Sequence, residues 1–399
     1  MIPGAQTNMI TKKDIYRLLP KEPITFFMLF LLFVMISCKP AIIKKIVDDP
    51  TDPVLTANHS FTRDNYQQAV LADSLKIIET ESLRGLPFHT MLDFSGKIIF
   101  TTHNGFLYFI DQDNFDDIRK TELADGITAA PSINNMILFA AVSKGKKGLL
   151  AYDMLEGDII WSKPGRMSQS SPVIYNDLVI HASLDGKIAA FNILSGESLW
   201  ENQQGDKIVN SMALLGKSLI LSTQNGTVRS YNPENGSLNW SVNLEKAVYA
   251  SPVIDQKNVY IASYDGSVFK IDLMSGNRKG SVHFYREVLS TPAADSSRIY
   301  LAQADGTLTA INKDNLKKSW SIRLEGPFSC SPLVTSKEII AGTAANLFYR
   351  INKSNGIIKQ VIILDGRLRC QPMIYKDQVY IGYEPDMIAV LAAKDLSDE

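Results

Sequence analysis

Disulfides cannot be what holds this chain together. Its 399 residues include three cysteines, Cys38, Cys330 and Cys370, whereas disulfide-built scaffolds are short and cysteine-dense. An excess of either charge is also missing. Lys and Arg number 41 against 42 Asp and Glu, for a net charge of −1, without the basic surplus that marks a nucleic-acid binder. The apolar run Ile24 to Ile36 falls short of the roughly 20 residues a membrane-spanning helix requires. The five histidines, His59, His89, His103, His181 and His283, follow no metal-ligand spacing. Neither a nucleophile elbow nor a phosphate-binding glycine loop occurs. Metal, hydrolase and nucleotide chemistry therefore lack a sequence handle, and the reading names no catalytic residue, cofactor or metal ligand.

What is present begins with an address. Lys12, Lys13, Arg17 and Lys21 precede the run FFMLFLLFVMI, which ends at Ser37-Cys38. A basic stretch, a short apolar stretch and a small residue form the secretory pattern. A cysteine at its end resembles the lipobox of bacterial lipoproteins, which implies cleavage and acylation at Cys38. Residues 1–37 are accordingly expected to be a lipoprotein signal peptide. Residues 38–70, rich in Lys, Asp and Pro, are expected to be a flexible tether.

From residue 71 onward three markers keep one phase. Trp161, Trp200, Trp240 and Trp320 are all the tryptophans of the chain, spaced 39, 40 and 80 residues apart. Pro131, Pro172, Pro252, Pro292, Pro332 and Pro372 recur at intervals of 40, 41 or 80 residues. Turn dipeptides follow at a fixed offset: Asn104-Gly105, Asp185-Gly186, Asn225-Gly226, Asp265-Gly266 and Asp305-Gly306. Between the markers lie short runs rich in Val, Ile, Tyr and Phe, which read as strands. The dipeptides predict two-residue hairpins with φ > 0 at both positions. Four antiparallel strands per unit of about 40 residues make the blade of a β-propeller.

The proline reads as a residue of the innermost strand, whose free edge tolerates a missing N–H. With Met91 and Met212 holding its place twice, the count is eight blades, an all-β fold. The last blade lacks an outer strand. Ser74 to Glu81 is predicted to supply it and close the ring. Cys330 and Cys370 stand two residues before equivalent prolines of adjacent units. Two readings follow: a bridge between neighbouring blades, or two buried thiols, the commoner fate of an interior cysteine. Asp185, Asp265 and Asp305 recur because the turn needs them, and do not read as a carboxylate set. The lysine-rich hairpin Ser143 to Gly148 is a solvated turn or a meeting place for an acidic partner.

The run Ala151-Tyr-Asp153 to Gly157 to Trp161 resembles the tryptophan-docking motif of the pyrroloquinoline quinone (PQQ) dehydrogenase-like propellers. Ala190-Phe-Asn192 to Gly196 to Trp200 repeats it, and Ser230-Tyr-Asn232 to Gly236 to Trp240 does so less closely. Within that superfamily the organisation is most similar to the BamB family, lipoproteins of outer-membrane β-barrel assembly. That resemblance implies a non-catalytic scaffold, lipid-anchored at the periplasmic face of the outer membrane, binding an envelope protein and no nucleic acid. The quinoprotein dehydrogenase branch, which implies PQQ and Ca²⁺, and a glycan- or small-ligand sensor remain as alternatives. The adjacent cysteine pair common in the quinoproteins is absent.

Overall fold

The computed structural model describes residues 54–55, 60–165 and 167–393. The signal-peptide reading, Cys38 and most of the tether lie outside them. Among the described residues the secondary structure is all strand, in eight antiparallel sheets that form an eight-bladed propeller. Blade 3 is representative: Val173–Tyr175, Leu178–Ala182, Lys187–Asn192 and Ser198–Gln203, in sequential order from inside to outside. The two central strands of a blade bury apolar residues on both faces, as with Ile180, Ala182, Ile188 and Ala190 on one side of blade 3 and Val179 and Phe191 on the other. A blade is sandwiched between two neighbours, so both faces are core. The eight main apolar clusters map one to each blade interface. The cluster joining Met373 and Tyr380 of blade 8 to Phe100 and Tyr108 of blade 1 closes the circle.

Ring closure follows the sequence reading. Leu75–Ser82 pairs antiparallel with Met387–Ala393 and becomes the outer strand of blade 8. Arg350, fully buried in blade 7, anchors the incoming chain by donating to the carbonyls of Ala72 and Asp73. Its Nε and one terminal nitrogen also engage both oxygens of buried Glu338, at 2.8 and 3.0 Å. Gln360 occupies the tryptophan position of blade 7. It binds the backbone of Leu75 twice, accepting from N at 3.0 Å and donating to O at 2.7 Å.

The tryptophans dock between blades. Each indole N–H donates to a carbonyl of the following blade: Trp161 to Ile193, Trp200 to Pro233, Trp240 to Leu273 and Trp320 to Lys353, at 2.8 to 3.1 Å. The glycine under each ring also belongs to the next blade. A Cβ on Gly196 would lie 2.8 Å from the Trp161 ring, and one on Gly236 2.6 Å from Trp200. The motif thus reads as one unit in sequence but acts between consecutive units. Blade 1 carries Arg119 at the tryptophan place, opposite Phe109. Between blades 5 and 6 the sizes are exchanged. Gly280 replaces the tryptophan, and buried Leu316 replaces the glycine and faces it. Leu316 accepts a left-handed φ of 57° to do so.

Three expectations need correction. The prolines, with Met91 and Met212, stand immediately before the innermost strands, which begin at Leu92, Ser132, Val173, Ala213 and their equivalents. The Asp-Gly turns are not two-residue hairpins. Gly186 lies at φ +86°, but Asp185 is not left-handed. Ser183 N donates to Lys187 O, and Gly186 N returns to Ser183 O, the three-residue form with a glycine bulge. The Ser183 hydroxyl holds Asp185 Oδ1 at 2.6 Å, and Thr223–Asn225 and Ser263–Asp265 repeat this.

The third correction concerns the tether, whose last part is built into the propeller. Val54–Leu55 pairs with the inner strand of blade 2. Then carbonyls of Phe61, Thr62, Asp64 and Asn65 accept from Leu214, Ile254, Ala294 and Val334, one blade after another. Gln67 finishes the round with two side-chain bonds to Ile374 of blade 8. Left-handed φ at Arg63 and Asn65 curls the segment to follow the ring. Free inner edges would otherwise expose unpaired N–H groups. This strap satisfies them.

Candidate functional site

The strap divides the central channel. On one side, the segments leading into the inner strands converge on a cavity of about 400 Å³, with Arg63 in its floor. The wall is stitched from blade to blade by hydroxyls. Ser171 N donates to Ser211 Oγ, Ser211 N to Ser251 Oγ, and Ser251 N to Thr291 Oγ1, at 3.0 to 3.1 Å. Gln371 and Asn210, both nearly fully buried, also line it. Arg63 Nε donates to Met212 O at 2.9 Å. Burial pushes its pKa down to about 10, which leaves it charged at neutral pH. Burial, and then the Arg63 charge, push His89 down to about 4, so its ring is neutral there.

The opposite end is charged. Asp64, Asp255 and Asp295 meet Lys313 and Lys353 around a second cavity of about 350 Å³. Lys313 lies 3.6 Å from Asp255, and Lys353 lies 3.2 Å from Asp295. Burial raises the Asp64 pKa and lowers that of Lys313. Asp255 and Asp295, like Lys313 and Lys353, are repeat-equivalent positions 40 residues apart, a signal that the sequence reading did not use; Asp64 alone comes from the strap, which has no repeat.

The residues singled out in sequence do not form one site. The four tryptophans, the glycines and the prolines are distributed around the ring as joints. Asp185, Asp265 and Asp305 sit in turns of separate blades; Asp265 pairs with Lys246 at 3.0 Å, and Asp305 with Arg286 at 2.9 Å. Lys144 and Lys146 are exposed on the blade 2 hairpin. Among the described histidines, His89 reaches the first cavity.

Cys330 and Cys370 stand as free thiols. Burial pushes Cys330 up to about 12, and Cys370 higher still with Cys330 beside it. The Cys370 thiol donates to His89 O. Thiol counting on the unfolded, unreduced protein is expected to find both free. A count of zero would instead establish a bridge between blades 7 and 8.

The PQQ–Ca²⁺ pair of the quinoproteins does not fit the first cavity. Ca²⁺ takes carboxylate and other hard oxygen ligands, and the described residues lining the cavity include no Asp or Glu. Among the described residues no cluster of three His, Cys, Asp or Glu side chains could hold a metal ion.

One surface departs from the rest. The outer strand of blade 7, Ile358–Ile363, exposes Ile358, Val361 and Ile363, with Ile357 beside them. Among the described residues its outer edge pairs with no other strand. The equivalent strands of blades 5 and 6 carry Arg278 and Lys279, and Lys318 and Arg323.

Comparison with known proteins places these features. No curated protein sequence matches the chain. Among solved structures, BamB from Moraxella catarrhalis superposes with a TM-score of 0.68 at 17% identity, covering 81% of this chain and 98% of that one. The quinohemoprotein alcohol dehydrogenase from Comamonas testosteroni gives 0.72 at 12% identity, covering 87% and 82%. A europium-containing methanol dehydrogenase gives 0.72 at 10% identity, covering 86% and 99%. At these identities the likeness is one of fold. The sequence profile described as outer membrane protein assembly factor BamB matches residues 112–287 and 281–395. These matches take in more than half of the chain, which therefore belongs to the BamB family of PQQ-like propellers.

Proposed function

We propose that this protein is a non-catalytic scaffold of the cell envelope that receives partner chains during outer-membrane protein assembly. Membership in the BamB family supports the setting. The observation that carries a protein-binding role is the blade 7 edge. A free strand edge with a row of exposed β-branched side chains is a template for strand addition, and such edges are normally blunted by charge. The partner it suits is an extended segment with alternating apolar residues. An oxidoreductase reading is disfavoured by the carboxylate-free channel cavity.

Photo-crosslinking from position 361 in intact envelopes tests the reading. Specific partners are expected from Val361, and Ile363→Lys should abolish them while leaving the fold intact. Crosslinks that are absent, or that persist in Ile363→Lys, would remove the blade 7 edge from the proposal.

The envelope location rests on Cys38. Wild-type protein is expected to incorporate labelled fatty acid, and Cys38→Ala is expected to incorporate none and remain unprocessed. Absence of label in the wild type would refute the anchor.

A further inference from the structure

We propose that the face at which the chain enters the propeller docks on the membrane, with the apolar tips of its turns dipping into the lipid interface. The inference rests on the anchor at Cys38 and names the surface that the anchor brings to the bilayer.

Hydrogen bonds define this face. In each blade one turn joins the first and second strands, and another joins the third and fourth. The two are tied together: Met154 N donates to Met136 O in blade 2, Ile193 N to Asp177 O in blade 3, and Leu273 N to Lys257 O in blade 5. Both turns therefore lie at one end of the strands. The chain enters at that end, because Val54 pairs with Asn134, the last residue before the blade 2 turn that holds Met136. Residues 39–53 separate Val54 from Cys38, a stretch that reaches no more than about 55 Å at full extension. An acylated Cys38 keeps this end of the ring within that distance of the bilayer and leaves the contact itself to the protein surface.

That surface is apolar along an arc. At one place in the turn between the third and fourth strands stand Leu155, Leu194 and Met274, in blades 2, 3 and 5, which are 44%, 69% and 77% exposed. The equivalent positions of blades 4, 6 and 7 carry Glu234, Asp314 and Ser354, so the turn does not require an apolar residue there. The outer strands of blades 2, 3 and 4 begin beside these turns and add exposed Ile160, Leu199 and Leu238. The arc runs over blades 2 to 5, and the chain enters at its blade 2 end.

Lipid is the occupant these residues suit. Protein partners are held mainly through aromatic and arginine anchors seated in fitted pockets. The exposed aromatic residues among those described, Phe88, Tyr264 and Tyr285, belong to the other end of the strands, around the mouth of the first cavity. Aliphatic tips on separate turns offer apolar area with no shape to match. Insertion at the boundary between headgroups and acyl chains uses apolar area of that kind.

The test uses the full lipoprotein reconstituted into vesicles of phosphatidylethanolamine and phosphatidylglycerol with brominated acyl chains, which quench tryptophan at short range. Met274→Trp and Tyr285→Trp place one reporter at each end of the strands. Each is read as the difference from the wild type, whose four tryptophans are docked between blades. The reporter at position 274 is expected to lose most of its fluorescence, and the one at position 285 to keep it. Adding Leu155→Glu and Leu194→Glu, both at exposed positions, should restore the signal at 274 while Cys38 still holds the protein on the vesicle. No quenching at 274, equal quenching at 274 and 285, or quenching that ignores the two glutamate substitutions would overturn the proposal. Fatty-acid labelling of the same preparation separates the two readings. Labelled protein without quenching at 274 removes the docking face alone, and unlabelled protein removes the anchor and the docking face together. Photo-crosslinks from position 274 to a protein in intact envelopes, without quenching, would assign the arc to a protein partner and overturn the lipid contact. Loss of the blade 7 crosslinks would leave these outcomes untouched.

Discussion

Removing residues 1–89 is expected to convert a soluble ring into an aggregating one. The missing Leu75–Ser82 strand makes seven residue pairings with Met387–Ala393. Without it, the edge of blade 8 presents Ile388, Ala389, Val390 and Leu391, all buried in the intact protein, next to unpaired backbone groups. Such an edge recruits other chains. Leu71, Leu75 and Leu83 also leave the core. The summed loss approaches the whole stability of an ordinary domain, about 5–15 kcal/mol. A second truncation, to residues 71–399, separates the strap from the closing strand. It keeps the blade 8 pairing and loses the Val54–Leu55 pairing with blade 2, the bonds from 61–67 and the Ser336 bond to Ala69, so it should stay soluble and unfold cooperatively at lower denaturant. Light scattering and denaturant melts decide between them. A soluble 90–399 fragment of undiminished stability would show that the closing strand is dispensable.

Arg350→Met is the point substitution with the largest expected effect, about 3–5 kcal/mol. Arg350 and Glu338 are almost fully buried, so deleting the cation leaves a carboxylate in the core with only Lys359 beside it. The same change removes the bonds to Ala72 and Asp73 that hold the chain as it enters blade 8. Urea denaturation should show the loss, and hydrogen exchange should show it concentrated at residues 75–82. The double variant Arg350→Met/Glu338→Leu should recover much of the stability, since an apolar pair of similar volume can replace a buried ion pair. An unrecovered double variant would mean that the backbone bonds, not the ion pair, dominate.

Acid provides a second view of the same contact. Burial alone would raise the Glu338 pKa, but bonds to Arg350 and Lys359 hold it below the usual carboxylate range. Its folded pKa is depressed. The stabilisation is therefore complete above the unfolded carboxylate value and is lost as pH falls through the folded one. Glu338→Gln should flatten that part of the stability profile.

How far the sequence reached depended on repetition. Whatever occurs once per blade was legible: the blade count, strand order, hairpin positions and docking tryptophans all recur near 40 residues, because eight equivalent environments select equivalent residues. Even the closing strand could be located, since an incomplete eighth unit must borrow an edge. Local detail within the repeat was less secure. The Asp-Gly turn took its bulged form because Ser183, Thr223 and Ser263 each bond the following Asp or Asn side chain, a preference no dipeptide rule contains.

Whatever occurs only once was hidden. Residues 60–67 have tether-like composition, and their order comes from five inner strands whose free N–H and C=O groups exist only after the ring has closed. Arg63 is a cation in an unremarkable segment until that strap carries it into the channel floor. The exchange of Gly280 and Leu316 is spread over two separate units of the sequence. Packing makes it one complementary contact. By itself, then, the sequence determined the ring, because a periodic fold writes its period into the chain. Only the tertiary structure decided what lies at its centre, because convergence of eight blades on one axis sets repeat-related wall residues against a strap that has no repeat.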